Sequence, residues 1–312
     1  MQDVFVTPPG WSWDIALYFF FGGLAGGAYF VANLLRLVGG GAGDRQLSRI
    51  GHYLAFPLLI VCTLLLIKDL GRPERFWHMV FQSERFPALM FKWWSPISFG
   101  TWILVVFGVF SVLSLGHALV EGGVARPPLA RRVTRPLHEG GLLATVFLVL
   151  GALWGLVLAS YTGMLLMVNN APTWSHDPFL PPLFMAAGVA AGAASLYLIA
   201  HFTGAGDASG RRRLLRTATY ALALEALLLA ASVILGLRGV SPYFLGAWAL
   251  LFWLVIAPFG VALPLVLLWM AEFRGRNLIR GAPVVAATLL LAGGLLLRVL
   301  EVFGGQAYYV PY

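Results

Sequence analysis

Between Ile67 and Trp77 the chain reads Ile-Lys-Asp-Leu-Gly-Arg-Pro-Glu-Arg-Phe-Trp, five charges in eight positions directly after an uncharged run from Tyr53 to Ile67. Lys68, Asp69 and Arg72 therefore stand where a greasy helix meets water, with Gly71 and Pro73 ending that helix. For Lys68 and Arg75, snorkelling of a charged helix end explains the pattern as well as function does. Asp69 and Arg72 flank a glycine turn at the mouth of a helix bundle, which favours a functional role. Other ionisable groups in apolar surroundings are few, and each is costly there and hence a functional candidate. Asp14 and Tyr18 begin the first apolar run, and Tyr161 lies two turns before the end of the fourth. Tyrosine, carboxylate and arginine beside an apolar cleft suit hydrogen bonding to the two carbonyls of a quinone and the movement of two protons.

Three further ionisable residues read as proton-relay candidates. Glu225 falls in the sixth run, roughly 12 Å from its basic end at 1.5 Å per residue. A carboxylate there needs a partner or a raised pKa, and a relay role and a packing role fit it equally. Arg298 and Glu301, near the end of the eighth run, have the i, i+3 spacing of a pair on one helix face, so a structural ion pair competes with a relay. The histidines His52, His117, His138 and His201 fall at basic run ends, and His78 and His176 in loops. None sits at mid-helix, where a haem would find axial ligands, so these read as rim residues and the protein as haem-free. Cys62 is the single cysteine. It allows no internal disulfide and no thiolate-held cluster in this chain, and no metal site is expected. Nucleophile–base pairs, HExxH and phosphate-cradling loops are missing from the sequence.

The elements that must position these residues are helices in a bilayer. Hydrophobic residues make up 60% of the chain and charged residues 11%, and the mean hydropathy is +0.83, values outside the range of a water-soluble domain. Apolar runs long enough to cross a bilayer of about 30 Å recur. Eight are legible, at 15–38, 50–68, 97–120, 141–168, 181–203, 217–238, 243–270 and 284–304. Residues 1–13 hold Asp3, Pro8 and Pro9 but no basic residue before the first run, so no cleavable leader is expected. The net charge of +8 reflects topology rather than nucleic-acid binding. Arg36, Arg45, Arg49, Arg126, Arg131, Arg132, Arg135, Arg211, Arg212, Arg213, Arg216, Arg274, Arg276 and Arg280 all fall at odd-numbered connections, 14 of the 21 Lys and Arg. The positive-inside rule puts those connections in the cytoplasm and both termini on the outer, periplasmic side. The Arg211–Arg213 run then reads as solvated charge facing anionic lipid. The long second connection, 69–96, carries Phe76, Trp77, Phe81, Phe86, Phe91, Trp93 and Trp94 and reads as a docking surface or an aromatic belt.

An internal repeat is also legible. Ser95-Pro96-Ile97-Ser98-Phe99-Gly100-Thr101-Trp102 matches Ser241-Pro242-Tyr243-Phe244-Leu245-Gly246-Ala247-Trp248 at four of eight positions. Gly23–Ala28 echoes Gly188–Ala193 in the same way. The fold expected is all-α and integral to the membrane, two four-helix bundles related by a parallel repeat. Residues 1–170 form the first bundle, with the outer loop 69–96, and residues 171–312 the second. Gly22/Gly26, Gly23/Gly27 and Gly188/Gly192 have the small-xxx-small spacing of close helix packing, placing helices 1 and 5 near the seam.

These motifs, taken in order, resemble one family. Trp13-Asp14-Ile15-Ala16-Leu17-Tyr18-Phe19 runs into Gly22-Gly23-Leu24-Ala25-Gly26-Gly27. Asp69-Leu70-Gly71-Arg72-Pro73, Ser95-Pro96 with Gly100 and Trp102, and Tyr161-Thr162-Gly163 before Pro172-Thr173-Trp174 follow. Over essentially all eight helices the sequence resembles the NrfD-like membrane subunits, the family that includes the polysulfide reductase membrane anchor. The resemblance implies a pocket for quinone (menaquinone or ubiquinone) near the outer face and a ferredoxin-like iron–sulfur partner subunit. It also implies a molybdopterin catalytic subunit, or a multihaem cytochrome, beyond that partner, in a bacterial or archaeal cytoplasmic membrane. The quinone-contacting tyrosine of the fourth helix in the polysulfide reductase member falls on Tyr161, while that member's first-helix histidine falls on Tyr18. The site expected at the outer ends of helices 1, 2 and 4 thus comprises Tyr161 and Tyr18 at the quinone oxygens, Asp69 or Asp14 exchanging protons, and Gly71 with Arg72 beside them. A transporter or proton-conducting module without its own redox site is the rival reading.

Overall fold

In hydrocarbon every backbone N–H and C=O must be bonded within the protein, so apolar spans of this length without strand alternation fold as helices. A computed structural model describes residues 9–124, 128–169, 171–237, 248–273 and 281–307. Among them, eight helices are long and apolar enough to cross a membrane. In order along the sequence they begin with α1 (Trp13–Val38), α2 (Ala42–Asp69), α3 (Pro96–Glu121), α4 (Pro128–His138) and α5 (Gly141–Met167). The single turn α6 (Pro172–Ser175), α7 (Leu180–Thr203), α8 (Ala208–Leu237), α9 (Ala249–Glu272) and α10 (Ala282–Ala307) follow. The spanning helices are all but α4 and α6. Short-range chemistry fixes the helix ends beside the site. The Ser12 side chain accepts from the Asp14 amide to cap α1, and Ser95 caps α3 with Pro96 in its first turn. Leu70 leaves α2 extended, and Pro73 opens a 3-10 turn, Pro73–Met79.

Several expectations need correction. The second span starts at Ala42, not near residue 50, because charged residues in its first turns hide it from hydropathy. Asp44 there is 1% exposed, and Arg213 of α8 bonds both its carboxylate oxygens at 2.6 Å. Arg212 and Arg216 likewise reach the buried carboxylate of Glu272 on α9, at 3.3 and 2.5 Å. This arginine run is therefore a clamp across α2, α8 and α9 rather than free charge facing lipid. The third connection contains α4, where the sequence pattern predicts only a loop. Within α9, residues Phe252–Ala262 wind as a π-helix. Pro258 offers no N–H, and the Leu263 amide bonds to its carbonyl five residues back, widening the turn. Ser241–Ala247, the second copy of the repeated motif, lie outside the described residues, as do Arg274, Arg276 and Arg280.

Helix α1 packs against α2, α5 and α7, and α7 in turn against α5, α8 and α10. At the α1–α7 crossing Gly27 lies so close that a Cβ would collide with the carbonyl of Gly188. Such contact exposes no lipid and gains dispersion along both backbones. Replacing Gly27 with leucine should separate the two helices and cost about 3 kcal/mol or more. Gly40 has open space around its Cβ position. Thermal unfolding in detergent should therefore show a lowered midpoint for Gly27→Leu and an unchanged one for Gly40→Ala. Equal midpoints for the two would refute this packing.

Candidate functional site

At the end of the bundle opposite the arginine clamp, α1, α2, α3 and α5 diverge around a cavity of about 240 Å³. Helix α1 contributes Ile15, Tyr18 and Phe19; α2 Leu66, Asp69 and Leu70; α3 Ile97, Gly100, Thr101 and Leu104; α5 Tyr161 and Leu165. Trp11 and Met79 close it from the loops. Three of the expected site residues, Tyr18, Asp69 and Tyr161, thus meet in one cavity. The Tyr18 side chain is 1% exposed and its hydroxyl has no hydrogen-bond partner among the described residues. An orphaned buried hydroxyl costs about 1–3 kcal/mol, a penalty that a ligand accepting its proton would remove. Tyr161 is held differently. Its hydroxyl donates to the Pro96 carbonyl at 2.6 Å, leaving its lone pairs as acceptors. Any Cβ at position 100 would collide with that hydroxyl, so only glycine lets the ring lie here.

The rim is polar. The Ser12 hydroxyl lies 3.3 Å from both Asp14 Oδ2 and Asp69 Oδ1, and Lys68 Nζ pairs with Asp14 Oδ1 at 2.9 Å. Asp14 is thus beside the cavity through Ser12 rather than on its wall. Gly71 and Arg72 are exposed and do not line it. A second apolar cleft of about 340 Å³ runs between α2 and α3 and shares Leu66, Leu70, Met79, Thr101 and Leu104 with the first. Head cavity and apolar groove therefore adjoin along these side chains, and exposed Ile60 and Val105 carry the groove to the lipid-facing surface.

Sequence reasoning missed the contribution of α3 and of Trp11 and Met79. Trp11 is fixed through its backbone: its amide donates to Gln306 Oε1 at 2.7 Å, and its carbonyl accepts from Gln306 Nε2 at 3.1 Å. Its ring stacks on the fully buried Trp174, whose Nε1 donates to the Glu301 carbonyl at 2.9 Å. The end of α10 therefore positions a wall of the cavity built mostly from α1–α5, a long-range pairing that periodicity cannot reveal.

The NrfD polysulphide reductase family profile matches residues 6–310. The protein belongs to that family. It is 28% identical to protein NrfD of Escherichia coli, over 95% of both sequences. It is 29% identical to a polysulfide reductase chain of Wolinella succinogenes, over 96% of this protein and 95% of that one. Against a selenate reductase subunit of Mesobacillus selenatarsenatis the identity is 21%, over 89% of this protein and 70% of the relative. This NrfD-family protein is a multi-pass membrane protein.

The other ionisable candidates lie apart from the cavity. Glu225 is buried midway along the 30-residue α8, deeper than expected, because α8 begins at Ala208. It is within electrostatic reach of Arg298. Arg298 is 2% exposed, donates to the Phe184 carbonyl at 3.3 Å and lies 3.5 Å over the Phe184 ring, a cation–π contact. Glu301 is fully buried in a π-helical turn, Leu300–Gly304.

Three of the histidines are not rim residues. His52, His117 and His138 converge inside the arginine-rich end, with His117 and His138 stacked at 4.4 Å and His52 5.8 Å from His138. Ser114 lies 2.9 Å from His138 Nε2 and 2.7 Å from the Tyr29 hydroxyl, and His52 Nε2 is 2.9 Å from Asn33 Oδ1. They face inward because α4, unseen in the sequence, folds His138 back against α3. Burial and the adjacent His117 pull the His138 imidazole from 6.5 down to about 3. The unfolded protein therefore takes up this proton first. The resulting stability is complete above about pH 6.5 and drains away as the pH falls towards 3, by at most about 1.4 kcal/mol per pH unit. Thermal midpoints measured between pH 7 and 4 should fall for the native protein and fall less steeply in His138→Gln, where the buried His52 and His117 remain. Parallel profiles would contradict this assignment.

Proposed function

We propose that this protein is a haem-free, quinone- or quinol-reactive membrane subunit of a respiratory oxidoreductase, with no catalytic autonomy of its own. It would exchange electrons between membrane quinone and an iron–sulfur partner subunit on the outer face. Two of the relatives are by name single components of reductases, one of polysulfide reductase and one of selenate reductase. The observation that carries the proposal is the cavity itself. An orphaned phenol, a constrained phenol and a carboxylate converge on it, and it adjoins an apolar groove between α2 and α3. That shape fits a quinone ring with an isoprenoid tail, menaquinone or ubiquinone, better than it fits a water-soluble ligand.

A bound quinone supplies two-electron, two-proton chemistry. Tyr18 donates its free hydroxyl hydrogen to one ring oxygen. Tyr161, whose own hydrogen is committed to Pro96, accepts from a hydroxyl at the other. Asp69, at the exposed rim and joined through Ser12 to Asp14, takes protons towards the outer aqueous face. Arg72 and Gly71, just past the rim, belong to the partner-facing turn. The exposed Phe76, Phe86, Phe91, Trp93 and Trp94 beside it form a docking surface for a ferredoxin-like iron–sulfur subunit. A molybdopterin catalytic subunit or a multihaem cytochrome would lie beyond. The positive-inside rule orients this end outward, in a bacterial or archaeal inner membrane, with helices 1–4 and 5–8 as two bundles related by a parallel repeat.

A second reading, proton conduction, rests on the buried Glu225, Arg298 and Glu301, which the quinone chemistry does not use. Under it, Glu225→Gln in the assembled complex lowers protons moved per electron while leaving quinol oxidation intact. For the quinone site, fluorescence titration with a quinol-analogue inhibitor should give one-to-one binding, weakened roughly three- to tenfold in Tyr161→Phe. Unchanged affinity in the co-purified complex would sink the assignment of Tyr161.

A further inference from the structure

We propose that a separate cleft, between α2 and α7 at the arginine-rich end, binds one acidic phospholipid whose phosphate is held by Arg49. The cleft measures about 540 Å³ and is walled by Ile50 and Leu54 of α2 and Ile199 of α7. Arg49 is half-buried in it, and its Nη1 donates to the Glu121 backbone carbonyl at 3.0 Å. The carboxylates at this end of the bundle have partners of their own, Asp207 accepting from the Ser209 hydroxyl and the Gly210 amide. Asp44 is bonded by Arg213, Glu121 by Arg36, and Glu272 by Arg212 and Arg216. Among the described residues no ion pair involves Arg49, and exposed Arg45 beside it adds to the uncompensated positive charge. A guanidinium partly withdrawn from water needs an anion, and its remaining N–H groups form the planar fork that suits phosphate.

The walls decide which anion. Free phosphate or a nucleotide gains nothing from Ile50, Leu54 and Ile199, whereas acyl chains fill such a cleft. A zwitterionic lipid brings a cation that Arg45 and Arg49 repel, so a net negative headgroup is favoured. Neighbouring polar groups are spent on the protein itself. Tyr53 donates its hydroxyl to the Ala118 carbonyl at 2.6 Å, and Gln46 Oε1 accepts from the Gly206 amide at 3.0 Å. That leaves Arg49 as the anchor. The cleft lies at the opposite end of the bundle from the proposed quinone cavity and does not depend on it.

Native mass spectrometry of the full-length protein in detergent, titrated with phosphatidylglycerol, phosphatidylcholine or inorganic phosphate, tests the proposal. The native protein should hold one phosphatidylglycerol in preference to phosphatidylcholine. Arg49→Gln should bind it at least tenfold more weakly, and substitution of the exposed Arg132 of α4, Arg132→Gln, should behave as native. Equal binding in Arg49→Gln, no preference over phosphatidylcholine, or full competition by inorganic phosphate would each overturn it. If Arg49→Gln does not fold, Leu54→Trp fills the cleft from its apolar wall, with the same tenfold loss expected and unchanged binding overturning the proposal.

Discussion

The close approach of α1 to α5 and α7 is the constraint on which the rest of the structure depends. Lipid is as apolar as leucine, so helices here gain little by hiding side chains and much by bringing backbones into contact. Glycines along α1 permit this, and α1 and α7 become the most enclosed of the eight spans. A helix so enclosed carries Tyr18 away from lipid and aims it between α2, α3 and α5 rather than outward.

The two ends of the bundle handle polar groups in opposite ways. At the arginine-rich end the buried carboxylates Asp44 and Glu272 face guanidinium groups on other helices, so charge is spent within the protein. Buried pairs of this kind add little net stability, because desolvation offsets attraction, but breaking one leaves a stranded charge. They fix the register of α2, α8 and α9. At the other end the Tyr18 hydroxyl has no partner among the described residues and Asp69 stands at the rim of an apolar cavity. Unspent hydrogen-bonding capacity beside an apolar groove is what a ligand needs, and it supports the proposed quinone site at that end.

Much of this was legible in the sequence and some was not, for identifiable reasons. Spans set by long uncharged runs, such as α1, α3, α5 and α7, were readable because hydropathy depends on composition alone. The start of α2 was hidden by Asp44, Arg45 and Arg49, whose charge argues against a helix in lipid until Arg213 is known to neutralise Asp44. Histidines 52, 117 and 138 were misjudged because their burial depends on α4, an amphipathic segment with too many arginines to register as a span. At the candidate site, Tyr18, Tyr161 and Asp69 stood out as polar groups at apolar run ends. Gly100, Thr101, Trp11 and Met79 did not, since nothing in their local sequence separates a cavity wall from ordinary packing. The pinning of Trp11 by Gln306 joins residues almost three hundred positions apart, beyond the reach of any local pattern.

We propose that a quinone head sits between α1, α2, α3 and α5. Photo-crosslinking with an azido-quinone in the membrane-embedded complex, followed by peptide mapping, tests it most directly. The label should fall between Leu66 and Leu70 at the end of α2 and between Ile97 and Leu104 on α3, with competition by unlabelled quinone. Competable labelling confined to α8, α9 or the arginine-rich end would contradict it.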